Sequence, residues 1–164
     1  MKWTVGIAAT IALIGALMYR EKVDERSIEI AAPPETVWRV LMDFDAYPDW
    51  NPMVRRIDGT PAVGNRLNEV QVVNNGSAMS FSPTVLAAEP AREFRWVGRV
   101  LIPGLMDGEH YFRLEATATG TWLTQGERFR GVLVPVAGAA IDVGDAFAES
   151  NAALRDRVLV TIGR

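Results

Sequence analysis

The sequence holds a single histidine, His110, inside GEHYFRLE, after a glutamate and ahead of two aromatic residues. An imidazole in such company can move a proton, ligate a metal, orient the polar end of a ligand, or sit satisfied in a core. Strand alternation puts His110, Phe112 and Leu114 on one face, with Glu109, Tyr111, Arg113 and Glu115 on the other. In the next apolar stretch, TWLTQGERFRG, Leu123, Gln125, Glu127 and Phe129 share a face. A hairpin turning at Gly120 in register would make His110 and Glu127 cross-strand neighbours on the apolar side, and a slip of one residue would turn the set outward. Two chemistries follow. The pair can act as acid and base on a polarised carbonyl, or, with Gln125, can grip the polar end of a bound molecule. Against these stand an imidazole that only packs, and a Glu127 paired at the sheet surface with Arg99, Arg128 or Arg130.

Other chemistries lack their residues. Without cysteine there is no thiolate nucleophile, disulfide or iron–sulfur cluster, and one histidine leaves zinc dependent on carboxylates, so neither metal nor cofactor is expected. No glycine-rich phosphate loop, nucleophile elbow or HExxH motif occurs, and Ser82 and Ser150 have no base in a recognisable pattern. A net charge of −3 argues against nucleic acid as a partner.

The elements that must position His110 follow an apolar N-terminus. From Trp3 to Tyr19 no residue is charged, a stretch at the short end of what spans a bilayer, with amphipathic aromatics at both ends. A cleaved signal peptide would need its site near Ile14-Gly15-Ala16, but Leu17, Met18 and Tyr19 carry the apolar run past it. A buried core helix fits poorly with hydrophobicity on every face. The expectation is a single-pass membrane anchor within residues 1–22, crossing at residues 3–19, then one domain over residues 23–164. Lys2 and Arg20, Lys22 and Arg26 pull its orientation in opposite directions.

In that domain RSIEIAA alternates as a strand, and PETVWRVLMDF opens on proline and repeats Val37, Val40, Leu41 and Phe44 at helical spacing. DAYPDWNPMV, punctuated by Pro48 and Pro52, can hold only a short helical turn or loop. Strand signals follow in GNRLNEVQVV, AMSFSPTVLAAEP and REFRWVGRV, then in the two segments around Gly120. Ala140, Val143, Phe147, Leu154 and Val158 describe one long amphipathic helix from Val136 to about Val160. The class is α+β: an antiparallel sheet whose apolar face only the last helix is large enough to cover. A curved sheet around one helix leaves a space between them, which is a small-molecule site by default. Alternation points Phe94, Trp96 and Gly98 into it, with Met79 and Phe81 as a further inner pair. Trp38 and Phe44 read as core packing, and Met53 and Met106 as adaptable apolar lining.

The stretches PPETVWRVLMDFDAYPDWNP, WVGRVLIPGLMDGEHYFRLE, GERFRGVLVP and FAESNAALRDRV together resemble the SRPBCC superfamily, the START/Bet v 1-like and polyketide cyclase/dehydrase-like domains. The resemblance covers nearly everything after the apolar segment. It implies a helix-grip fold, about seven antiparallel strands curled around the C-terminal helix, enclosing a hydrophobic cavity. It also implies that Tyr47, Trp50 and Asn51 lie near the cavity mouth. Phe147 on the helix is a further candidate ligand contact, and PGLM (Pro103 to Met106), a compact turn bearing Leu105 and Met106, reads as an entrance flap or a bilayer contact. The function expected is binding or carriage of a hydrophobic small molecule (a lipid, fatty acid or polyketide-like compound). The alternatives are a cyclase, dehydratase or hydrolase using His110 and Glu127, or an accessory module of a membrane enzyme with its cavity filled by side chains. No protein partner is legible.

Overall fold

A computed structural model of the chain describes residue 15, residues 17–73 and residues 76–163. Strand β1 (Arg20–Ile30) leads into helix α1 (Pro34–Leu41), a 3-10 turn (Phe44–Ala46) and the short helix α2 (Tyr47–Trp50). Strands β2 (Val54–Asp58), β3 (Asn68–Val72), β4 (Ala78–Phe81), β5 (Thr84–Glu89), β6 (Glu93–Arg99), β7 (Asp107–Ala116) and β8 (Thr121–Gly131) follow. Two 3-10 turns (Val134–Val136 and Gly138–Ile141) precede helix α3 (Gly144–Ile162). All ladders are antiparallel. Five strands run in the order β1-β8-β7-β6-β5, and β2-β3-β4 form a second sheet. The two sheets meet where Leu67 donates to the Pro83 carbonyl and Arg66 bridges Thr84.

Four differences from the sequence reading have physical causes. The expected strand AMSFSPTVLAAEP is cut at Ser82-Pro83, because proline has no N–H to give a ladder, and its halves join different sheets. VRRID forms β2, a strand that the prolines around it obscured, so eight strands stand where about seven were expected. β1 starts at Arg20 rather than near Arg26, since its polar half pairs with β8 throughout and Glu21 meets Arg130 at 2.6 Å. Helix α3 starts at Gly144 rather than Val136, after Pro135, a left-handed Gly138 (φ 52°) and an extended Asp142 have broken helical geometry. Asp24 then accepts the backbone N–H of Val143 at 3.1 Å, beside the helix start.

Among the described residues no helix is long and apolar enough to cross a membrane. Of the expected span over residues 3–19, nearly all lies outside the described residues.

Helix α3 packs against β1, β8 and α1. Beneath it the interior forms two apolar clusters. The larger contains Ile30, Leu41, Phe94, Phe112, Leu114, Leu123, Leu154 and Val158, and the smaller Phe129, Val134 and Ile141, with Met106 and Val143 against it. The outer face is also closed at one point. Tyr111 is 1 % exposed there, its hydroxyl donating to Glu25 and its ring capped by the Arg113 guanidinium at 4.3 Å. Burial raises its pKa, and the Glu25 bond raises it further. Gly126 makes room: a Cβ there would lie 2.5 Å from the Tyr111 ring.

Candidate functional site

The register of β6, β7 and β8 builds the site in rungs. Trp96 pairs with His110, which pairs with Glu127; Phe94, Phe112 and Gln125 form the rung on one side, and Gly98, Gly108 and Phe129 the rung on the other. Because antiparallel partners share a face, all nine residues look toward α3. Along β8 the face runs Leu123, Gln125, Glu127, Phe129, and on the other side it runs from Val143, just before α3, through Phe147 and Asn151 to Leu154. Each element passes from the smaller cluster through polar groups to the larger one. A polar layer therefore divides the interior.

His110 is the centre of that layer and is 7 % exposed. Its ring stacks on Trp96 with centroids 4.5 Å apart and planes at 18°, and Phe147 meets it edge-on at 5.1 Å. Nδ1 lies 3.3 Å from Glu127 Oε2, and Nε2 lies 3.2 Å from the Gln125 side-chain nitrogen. A carboxylate only accepts, so Nδ1 carries the proton; Nε2 is then bare and the Gln125 amide donates to it. That leaves Gln125 Oε1 buried without a partner. On α3, Asn151 donates through Nδ2 to the Arg26 carbonyl at 3.1 Å, and its Oδ1 is likewise buried and bare. Arg26 pairs with Gln125 in the β1–β8 ladder, so both amides are tied to one rung.

A second carboxyl faces the layer from β3. Glu69 is 2 % exposed; Oε1 accepts from Gln71 at 2.8 Å and Oε2 has no partner. Burial raises its pKa, opposed by the Gln71 bond and by His110 and reinforced by the charge of Glu127. The indole N–H of Trp50 is also buried and unpaired. Unpaired buried polar atoms are rare and mark water, ligand or function.

Next to the layer the sheet is bare. A Cβ on Gly98 would meet nothing within 4 Å, and one on Gly108 would overlap the Glu127 carboxylate, which leans across that glycine. The rung that should carry two side chains here carries open space and a carboxylate instead.

Of the residues singled out from sequence, Phe94, Trp96, His110, Phe112, Gln125, Glu127, Phe129 and Phe147 meet in or beside this layer. Met79 does not: β4 is an edge strand of the smaller sheet, and Met79 is 49 % exposed on it. Phe81 is half-buried opposite Glu69. Asn51 serves a turn, its Oδ1 accepting from the N–H groups of Met53 and Val54 at 2.8 and 2.9 Å. Tyr47 is buried, donates to the Leu41 carbonyl and packs on Trp50 at 4.9 Å. Two site residues escaped the sequence reading. Glu69 shares a face with the fully buried Leu67, while the apolar Val70 and Val72 stand on the opposite face of the strand. Asn151 is a polar residue at an apolar stripe position, four after Phe147 and three before Leu154, and that was its signal. Among the described residues no three acidic or histidine side chains group to hold a metal.

Comparison with known proteins gives a family match and many structural neighbours. A family model described as polyketide cyclase / dehydrase and lipid transport matches residues 23–159. No curated protein matches the sequence. A crystal structure of a protein from Mesorhizobium loti is 26 % identical, with a TM-score of 0.61, covering 87 % of this chain and 98 % of that one. The ZhuI aromatase/cyclase of a Streptomyces species superposes with a TM-score of 0.70 at 16 % identity, covering 87 % and 96 %. A START superfamily protein from Mycobacterium smegmatis does so with 0.66 at 21 % identity, covering 85 % and 98 %. The last two show likeness of fold.

Proposed function

The chain belongs to the polyketide cyclase/dehydrase and lipid transport family, and on that footing we propose that it is a binding or carrier protein for a hydrophobic small molecule. The molecule lies between sheet and α3, with its polar end at His110, Gln125 and Glu127. The observation that carries this reading is the open space at Gly98, beside a polar layer whose buried acceptors lack partners. Burial of apolar ligand surface would supply the affinity, about 25 cal/mol per Å² before association costs.

The same reading includes a tether. The uncharged run from Trp3 to Tyr19 supports a single-pass anchor, and apolar residues gather where it enters the fold. Leu101 (88 % exposed), Ile102 (63 %), Val136 (70 %) and Tyr19 (44 %) all sit at the sheet end where β1 begins, β6 stops and β8 stops. An anchored domain would present this end, and the Gly98–Gly108 rung behind it, to the bilayer.

Uptake of the neutral apolar dye N-phenyl-1-naphthylamine by the full chain tests the reading. Gly98→Leu puts four carbons into the open space at an ordinary backbone conformation. It is expected to cut dye affinity at least about tenfold while leaving the thermal midpoint close to wild type. Wild-type protein that takes up no dye, or a Gly98→Leu variant that binds equally well, would overturn it.

The 3.3 Å His110–Glu127 contact favours one second reading, acid–base catalysis on a bound carbonyl. His110→Gln separates the two. A carrier is expected to lose at most about tenfold in affinity. An enzyme would keep binding and lose turnover by about 10²–10⁴.

A further inference from the structure

We propose that the polar layer selects ligands whose buried end donates a hydrogen bond, an alcohol, phenol or amine, over ethers and over carboxylates. This rests on the reading of the interior as a ligand site and specifies its chemistry.

The selectivity comes from which atoms are already committed. The Arg26 carbonyl can only accept, so the Asn151 atom 3.1 Å from it is the amide nitrogen and the bare atom is the oxygen. The Glu127 carboxylate fixes the His110 tautomer, and the tautomer in turn fixes Gln125, so its bare atom is also oxygen. Each amide nitrogen has a partner and each amide oxygen has none. Both amides are tied to the Arg26–Gln125 rung, Asn151 by its bond to the Arg26 carbonyl and Gln125 as the ladder partner of Arg26. A ligand hydroxyl or amine arriving there would meet unpaired amide acceptors whose own amide donors are already committed. An ether oxygen would face those acceptors without a hydrogen to give them, leaving all three groups unpaired.

A carboxylate would fare worse. Glu127 lies on the next rung, with Asp24 paired beside it on β1, and Glu69 faces the layer from β3. The cations on the same face are engaged elsewhere: Lys22 with Asp142, Asp24 and the Ile141 carbonyl, and Arg26 with the Glu25 carbonyl and, at 3.8 Å, Asp145. The trapped charge of a free fatty acid would find no counterion at this layer. The inference therefore removes carboxylates from the ligand classes that the fold alone would admit.

Three probes of one shape test it by titration calorimetry on the full chain: 2-naphthol, 2-methoxynaphthalene and 2-naphthoate. The naphthol is expected to bind at least about tenfold more tightly than the ether, and the naphthoate more weakly than either. In the Gln125→Leu and Asn151→Leu variants the naphthol advantage should shrink toward one, with ether binding kept. Equal binding of naphthol and ether by wild type would overturn the selectivity alone, as would tightest binding of naphthoate; water filling the layer gives the first of these. If none of the three binds, the ligand-site reading falls and the selectivity with it. The wild-type ranking decides the matter even where a variant fails to fold.

Discussion

Gly120→Ala is expected to destabilise the fold by about 3 kcal/mol or more, read as a large drop in the urea midpoint. Gly120 closes the β7–β8 turn with φ 157°, and its carbonyl accepts from Thr117 at 2.8 Å. A Cβ there would overlap the carbonyl oxygen of Ile30 and lie 2.9 Å from the Ala32 nitrogen and 3.0 Å from the Ala31 Cα. All three are backbone atoms, so no rotamer can relieve the clash. They are also the point where β1 turns into α1, held by the buried Thr121 hydroxyl donating to the Ala32 carbonyl at 2.7 Å. Relief would require separating β1 from the hairpin that carries His110 and Glu127. Gly64→Ala is the control: Gly64 has φ 87° but open space around it, so only backbone strain of about 1 kcal/mol is expected. Equal losses in the two variants would show that conformation, and not the collision, sets the cost.

Glu69→Gln is expected to stabilise the protein at about pH 8 and to make little difference at about pH 4. Burial raises the Glu69 pKa above its ordinary value of 4.5, so the folded state holds the proton more tightly than the unfolded chain does. Stability from this group is complete below the unfolded pKa and is lost as pH rises through the folded one. Each tenfold difference between the two proton affinities is worth about 1.4 kcal/mol. Glutamine keeps the carbonyl that accepts from Gln71 and has no charge to bury. Denaturant midpoints at the two pH values check this. A variant less stable than wild type at about pH 8 would mean that the carboxylate is ionised and paired there.

How far the sequence could be read depended on how local each constraint is. Alternation sorted the inner faces of β6, β7 and β8 because each carries apolar residues of one parity there: Phe94 and Trp96, Phe112 and Leu114, Leu123 and Phe129. The α+β class followed from those strands and one long helix, and the helix-grip arrangement from the family resemblance. Tyr111 resisted, because its burial on the outer face depends on Glu25 from β1 and on the missing side chain of Gly126, neither of them neighbours in sequence. Glu69 resisted because burying a carboxyl runs against the hydrophobic pattern that made the other strands legible. Local pattern finds the walls of the interior, and only the folded chain shows which polar atoms are left over inside it.

The division of the interior has a dynamic consequence. Cooperative unfolding spreads through continuous apolar contact, and here that contact is interrupted by a layer with unmet acceptors. The cluster of Phe129, Val134 and Ile141 can thus break up while Phe94, Leu114, Leu123 and Leu154 stay packed. Amides around the 3-10 turns are then expected to exchange with solvent through a low-energy local opening, and those between Phe112 and Leu114 only with global unfolding. A ligand held as proposed would enter and leave through the weaker of two folding units, while the stronger one keeps the protein intact.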